Sequence, residues 1–225
     1  MTDSNPPIRT FGRIKSRPIK PRQGALVESL LPRIAIPAGP FDPRAQAPQA
    51  SEVWLEIGFG GGEHMAAQAE RRPDVLILGA EPFLNGVASA LRHIDERDLE
   101  NVRLHAGDAR DLLAALPDAS LDRLFVLFPD PWPKARHHKR RLVQGAFIEE
   151  AARVLAVGGR LRFATDWADY ANWALERLVR HASFNWLAEC ADDWRRPPSD
   201  HVTTRYEEKR LGDCAPVWLE FARKP

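Results

Sequence analysis

The residues best suited to chemistry lie in the stretch Leu127–Leu142, LFPDPWPKARHHKRRL. An apolar segment runs into one carboxylate, Asp130, set between Pro129, Pro131 and Pro133 and followed by Trp132. Five Lys/Arg side chains come next: Lys134, Arg136, Lys139, Arg140 and Arg141. Prolines fix φ and stiffen such a loop. The acid offers a fixed negative charge, and the cations offer a grip on a polyanion. A second cluster is the glycine run GFGGG at Gly58–Gly62, which lets a backbone turn tightly and approach a ligand closely.

These residues need a scaffold. Segments 52–57, 75–80, 102–105, 121–127 and 160–164 have the apolar character of strands covered on both faces. Helical i, i+3, i+4 spacing falls between them, over 84–94, 144–155 and 167–182, with Gly158-Gly159 expected to stop the second of these helices. Alternation of this kind predicts a Rossmann-like α/β fold with a mostly parallel sheet and helices on both faces. Ligands in such sheets bind beyond the carboxyl ends of the strands. Each strand has an acid at or near that end: Glu56, Glu81, Asp108, Asp130 and Asp166. One such acid is ordinary N-capping. Five in one structural position make an acidic rim.

The rim selects the ligand. A dinucleotide fingerprint wants a third glycine at position 63, where this chain has Glu63 at the start of a helix. A pyrophosphate there would meet a carboxylate. A nucleoside carrying a cation fits better, and S-adenosyl-L-methionine has that profile. Glu81 is then placed for ribose hydroxyls, Asp108 for the adenine side and Glu56 for the amino-acid end, with Gly58 and Gly60 beneath. The alternative is that the glycines only make a turn.

Composition bounds the partners. The 225 residues carry 32 Lys+Arg against 31 Asp+Glu, so affinity for nucleic acid must come from local clusters. Residues 1–24 hold six cations, one acid and four prolines, and read as a flexible basic arm ahead of a single domain over 25–225. Cys190 and Cys214 match no metal or disulfide spacing, His137 and His138 do not suggest a metal, and no membrane span or signal peptide is visible. A cytoplasmic protein without membrane or metal is expected, as a monomer or homodimer.

The motifs LEIGFGGGEH, GAEPFLNG, GDARDLL, LFPDPWPKARHHKRRL, ATDWADYA and TTRYEEKR, in that order, resemble the bacterial-type tRNA (guanine-N7-)-methyltransferase family. The resemblance runs from about Arg9 to Arg223, and the LFPDPWPKARHHKRRL string is its most specific part. It implies a class I methyltransferase fold with seven strands, the last antiparallel. It also implies methyl transfer from S-adenosyl-L-methionine to N7 of guanine 46 in the variable loop of tRNA. By matching motif, Glu56, Glu81, Asp108 and Asp130 resemble cofactor-binding acids, and Asp130 also resembles the catalytic position. Lys134, Asp166 and the segment Thr204, Arg205, Tyr206, Glu207 resemble substrate-binding residues. Arg136, His137, His138, Lys139, Arg140 and Arg141 resemble the RNA-contacting run. The family commonly has Thr-Lys-Phe-Glu where this chain has Thr204-Arg205-Tyr206-Glu207, which keeps charge and aromaticity but changes the geometry of the cation.

Guanine N7 has an in-plane lone pair and needs no general base, so such a site works mainly by alignment. Asp130 would stabilise charge developing on the purine. Trp132 either stacks on a base or anchors the loop. Glu207 either reads guanine N1–H and N2–H₂ or serves as a helix-cap acid. The cations either position phosphates or form a solvated turn. Two other classes remain open on residues alone: a methyltransferase of exocyclic amines, and a non-catalytic RNA-binding module on the same fold.

Overall fold

The computed structural model describes residues 18–225. Three short helices lead in: α1 (Pro21–Ser29), α2 (Leu31–Ile34) and α3 (Pro43–Gln46). Strands and helices then alternate as β1 (Glu52–Ile57), α4 (Glu63–Arg71), β2 (Val75–Ala80), α5 (Leu84–Glu96), β3 (Val102–His105), α6 (Ala109–Ala115) and β4 (Leu121–Leu127). A 3₁₀ turn over Ala135–Arg140 precedes α7 (Gly145–Val154), β5 (Leu155–Thr165), α8 (Ala168–Arg180) and β6 (Phe184–Trp186). The described chain closes with α9 (Asp192–Arg195), α10 (Arg205–Glu208) and β7 (Val217–Arg223).

The strands form one seven-stranded sheet in the order β3-β2-β1-β4-β5-β7-β6. Pairings among β1 to β5 are parallel, and β7 runs antiparallel to both β5 and β6. Strand direction of growth reverses between β1 and β4, which makes their carboxyl ends the topological switch point where ligands bind.

Alternation along the central strands separates two apolar layers. Val53, Leu55 and Ile57 of β1 pack with Leu112 and Leu113 of α6, Phe147 of α7, and Tyr170 and Leu178 of α8. Trp54 turns to the other layer with Met65 of α4, Val87 and Leu91 of α5 and Phe125 of β4. Burying both faces explains why these strands read as continuous apolar runs.

Three boundaries differ from the sequence reading. Strand β5 starts at Leu155, because Gly158, with φ +80°, sits inside the strand at a register irregularity instead of stopping a helix. Helix α1 begins within the stretch assigned to the arm, and Arg22 pairs with Asp95 at 3.1 Å and Glu96 at 3.2 Å on α5. The arm cations Arg9, Arg13, Lys15 and Arg17 lie outside the described residues. Strands β6 and β7 complete the sheet beyond the five read from periodicity.

Candidate active site

The glycine run forms the floor of the site. Gly58, Gly60 and Gly62 have φ of +71°, +53° and +81°, a region only glycine adopts without strain. A Cβ built on Gly58 or Gly60 would meet nothing within 4 Å, so open space lies over both. Helix α4 starts immediately after, with Gly62 at its N-cap. Gly86 at the start of α5 packs directly on the Gly60 carbonyl, leaving no room for a side chain.

Glu81, at the end of β2, ties this floor together. Its carboxylate accepts from Gly60 N and Phe83 N, both at 2.9 Å. Burial raises its pKa against those two hydrogen bonds, and Asp130 raises it further by charge repulsion. Asp130 keeps exposed surface, yet the protein around it raises its pKa by desolvation. Glu81 and Asp130 therefore act on one space from β2 and β4. Asp108 caps α6 by accepting from Arg110 N at 3.0 Å, and Arg110 also grips it with Nε at 2.9 Å and Nη2 at 2.5 Å. Capping and rim position coincide at this residue.

Glu56 has turned inward. Its side chain is 3% exposed and meets His64 Nδ1 of α4 at 2.7 Å. It supports the glycine floor from beneath, a geometry the strand-end position alone did not specify.

The loop after β4 is held under strain. Phe128 and Trp132 both adopt positive φ, +51° and +45°. Phe128 packs against Tyr206 with ring centroids 5.8 Å apart, which brings the Thr204–Glu207 segment over the Asp130 loop. Trp132 is half-buried, with the Arg140 guanidinium 5.0 Å above its ring and His137 edge-on at 6.0 Å. These contacts hold the ring against its own loop.

The cationic run divides by direction. Lys134, just before the 3₁₀ turn, and Arg136 and Lys139 on it are exposed. The pKa of His137 is lowered by desolvation and then by Arg140, Arg136, Lys134 and Lys139, a sign of concentrated positive charge. Arg141, grouped from sequence with the RNA-contacting cations, is corrected by the structure: its side chain is 1% exposed. It pairs with Asp169, donates from Nε to the Pro131 carbonyl at 2.9 Å, and lies 4.9 Å and 5.0 Å from the Tyr170 and Trp173 rings. His138 likewise faces inward, 3.4 Å from Asp169 and edge-on to Trp173 at 5.4 Å. These two residues brace the loop from the protein side.

Asp166 lines a cavity of about 410 Å³ together with Glu207, Arg210, Gly212 and Cys214. One carboxylate oxygen accepts from Gly212 N at 3.0 Å, and the other is buried without a hydrogen bond. Desolvation raises its pKa.

Glu207 is held from two sides. One oxygen lies 2.9 Å from His201 Nε2, and the other accepts from Thr204 N at 2.9 Å while Thr204 Oγ1 accepts from Glu207 N. This is a complete capping box, and the side chain is 9% exposed. Both oxygens shape the loop, and Glu207 also lines the cavity beside Asp166, so each keeps acceptor capacity for a further donor. Arg205 stays exposed, 3.9 Å from Glu63. Sequence reasoning missed Phe128, Gly86, Asp169 and His201. Gly86 and Asp169 lie inside motifs already singled out, whereas nothing local marked His201.

Among the described residues, no group of three or more His, Cys, Asp or Glu is arranged to hold a metal, and no helix is long and apolar enough to cross a membrane.

Comparison with known proteins places the chain among methyltransferases. Residues 50–218 match the family model described as "Putative methyltransferase". The fold is similar to a solved rRNA methylase from Streptococcus thermophilus, with TM-score 0.53 and 13% identity over 79% of this chain and 90% of that one. It is also similar to the 16S rRNA (adenine(1408)-N(1))-methyltransferase of Catenulisporales acidiphilia, with TM-score 0.54 and 18% identity over 82% and 91%. These two likenesses speak to fold alone. A tRNA (guanine-N(7)-)-methyltransferase of Caulobacter sp. (strain K31) is 66% identical over 217 residues, 96% of each chain. One from Hyphomonas neptunium is 57% identical over 95% of this chain and 99% of its own. With identity of this order spread across both chains, the protein belongs to the tRNA (guanine-N(7)-)-methyltransferase family.

Proposed function

We propose that this chain transfers the methyl group of S-adenosyl-L-methionine to N7 of a guanine in tRNA, and that the target is guanine 46 of the variable loop. The observation that carries this reading is the position of Asp130, at the switch point between an open glycine floor and an outward-facing set of cations.

The residues fit the cofactor. Open space over Gly58 and Gly60 suits close approach of a ligand, and Glu81, Asp108 and Asp130 supply carboxylates around it. Two carboxylates whose pKa values are raised by desolvation favour a cationic guest, because its charge offsets the cost of holding them ionised. When bound, the cofactor supplies an electrophilic methyl carbon: guanine N7 forms the new bond, the carbon–sulfur bond breaks, and its electron pair stays on sulfur.

This chain's residues orient and stabilise. Positive charge develops on the purine, and Asp130 stabilises it through space, an effect of a few kcal/mol when the group is held in place beforehand. Asp166 and Glu207 line the cavity offered to the guanine, and Tyr206 is fixed nearby by its packing on Phe128. Lys134, Arg136 and Lys139 contact phosphates, which positions RNA without reading its sequence. The basic stretch at residues 9–17 adds further phosphate contacts by its charge.

The test is incubation of unmodified tRNA with methyl-labelled cofactor, followed by reduction and aniline cleavage. Cleavage at position 46 is expected. Label in a cleavage-resistant base would point to an exocyclic amine and overturn the reading.

A further inference from the structure

The cofactor floor and the nucleobase-side loop are joined by a buried polar chain that the chemistry above does not use. It starts at Glu56, whose carboxylate lies 2.7 Å from His64 Nδ1. His64 Nε2 lies 3.1 Å from Gln68 Nε2, one helical turn on. Gln68 Nε2 donates to the Asp200 carbonyl at 2.6 Å. His64 and Gln68 are 1% and 2% exposed. The next residue, His201, is the partner of Glu207 in the capping box that shapes Thr204–Glu207.

The chain has a definite sense. A backbone carbonyl only accepts, so the Gln68 group facing Asp200 is its amide nitrogen. The same nitrogen then donates to His64 Nε2, which leaves the imidazole proton on Nδ1, facing Glu56. Each member is partnered by the next, and removing Gln68 leaves His64 Nε2 without its donor and the Asp200 carbonyl with Arg71 alone. The Asp200 carboxylate is fixed separately, by Arg162 at 2.7 Å and Arg123 at 3.2 Å, so Gln68 and Arg71 (2.9 Å) alone among the described contacts set its carbonyl.

We infer that Gln68 is a positioning residue for tRNA: through Asp200 and His201 it registers the Thr204–Glu207 segment against the cofactor floor, without touching either ligand. The inference rests on the reading that this segment faces the nucleobase.

The test uses the full-length enzyme with unmodified tRNA, and S-adenosylhomocysteine as the cofactor-site probe. Gln68→Met keeps the side-chain length and removes both donors. The KM for tRNA is expected to rise about tenfold, the effect of one lost buried hydrogen bond, with probe Kd changed by less than about twofold. Arg71→Met, at an exposed position, keeps the test available if Gln68→Met does not fold, and shifts tRNA KM in the same direction by about threefold. A tRNA effect that does not exceed the probe effect, in every variant that folds, overturns the inference. Arg205→Ala separates the two failures. If it raises tRNA KM while the Gln68 and Arg71 variants do not, only the positioning role falls. If it too is silent, the reading of the segment falls and takes the positioning role with it.

Discussion

Arg141 Nε donates to the carbonyl of Pro131 at 2.9 Å, from a side chain buried between the rings of Tyr170 and Trp173. A guanidinium ten residues downstream thus fixes the backbone immediately after Asp130. Its acidic partner Asp169 is 63% exposed, so the ion pair itself is worth little, and the hydrogen bond and the ring contacts dominate. Arg141→Ala is expected to lose about 2–3 kcal/mol of stability, read as a fall in Tm of about 2–4 °C per kcal/mol. Turnover should fall with it. A variant with wild-type Tm would remove the brace.

The outward cations should behave differently. Arg136→Ala and Lys139→Ala are expected to leave Tm unchanged and weaken tRNA binding. Each should reduce the slope of log K against log salt by roughly 0.7, the value for one lost phosphate contact on a single strand. Arg141→Ala should leave that slope as it is. Salt titrations of binding on the three variants decide the matter.

Asp130→Asn keeps size and removes charge. Turnover should fall by about 10² or more, as for loss of one prearranged electrostatic group. The Kd for S-adenosylhomocysteine, which carries no sulfonium charge, should change by less than about fivefold. Single-turnover kinetics and calorimetry measure the two separately, and near-normal turnover would take Asp130 out of the chemistry.

The raised pKa of Glu81, caused first by burial, gives two pH dependences. In the folded protein Glu81 holds its proton above the ordinary value of 4.5, so cofactor affinity should weaken as pH falls through the raised pKa and the anion is lost. Stability runs the other way. The native state binds this proton more tightly than the unfolded chain, so Glu81 subtracts stability as pH rises through the same window. Glu81→Gln should flatten both profiles, which calorimetric titration and thermal melts at stepped pH would record.

Gly86→Ala would drive a methyl group into the backbone carbonyl of Gly60 and against the Glu81 side chain. A cost of about 1–3 kcal/mol and a clear loss of cofactor affinity are expected. Gly145→Ala, at the open start of α7, is the control and should be neutral or stabilising. Equal behaviour of the two variants would show that the contact is slack.

The first four strands were legible to the residue, because burial on both faces writes a continuous apolar run. Strand β6, three residues long, has no period to detect, and Gly158 at positive φ disguised the start of β5 as the end of a helix. In the site, Glu81, Asp108 and Asp130 stand where strand-end logic put them. Arg141, Glu207 and Glu56 do not follow from their types. Each could serve a ligand or the fold, and the partners they meet, far along the chain (Asp169), in the preceding loop (His201) or on the next helix (His64), carry no local signal.

Strand β7 pairs with β5 on one side and β6 on the other, so β6 meets the sheet only through a segment that follows it by some thirty residues. A nascent chain leaving the ribosome therefore exposes two open edges, on β5 and β6, until β7 is translated and slots between them. Chaperone occupancy, or aggregation when chaperones are scarce, should concentrate on intermediates stalled in that interval.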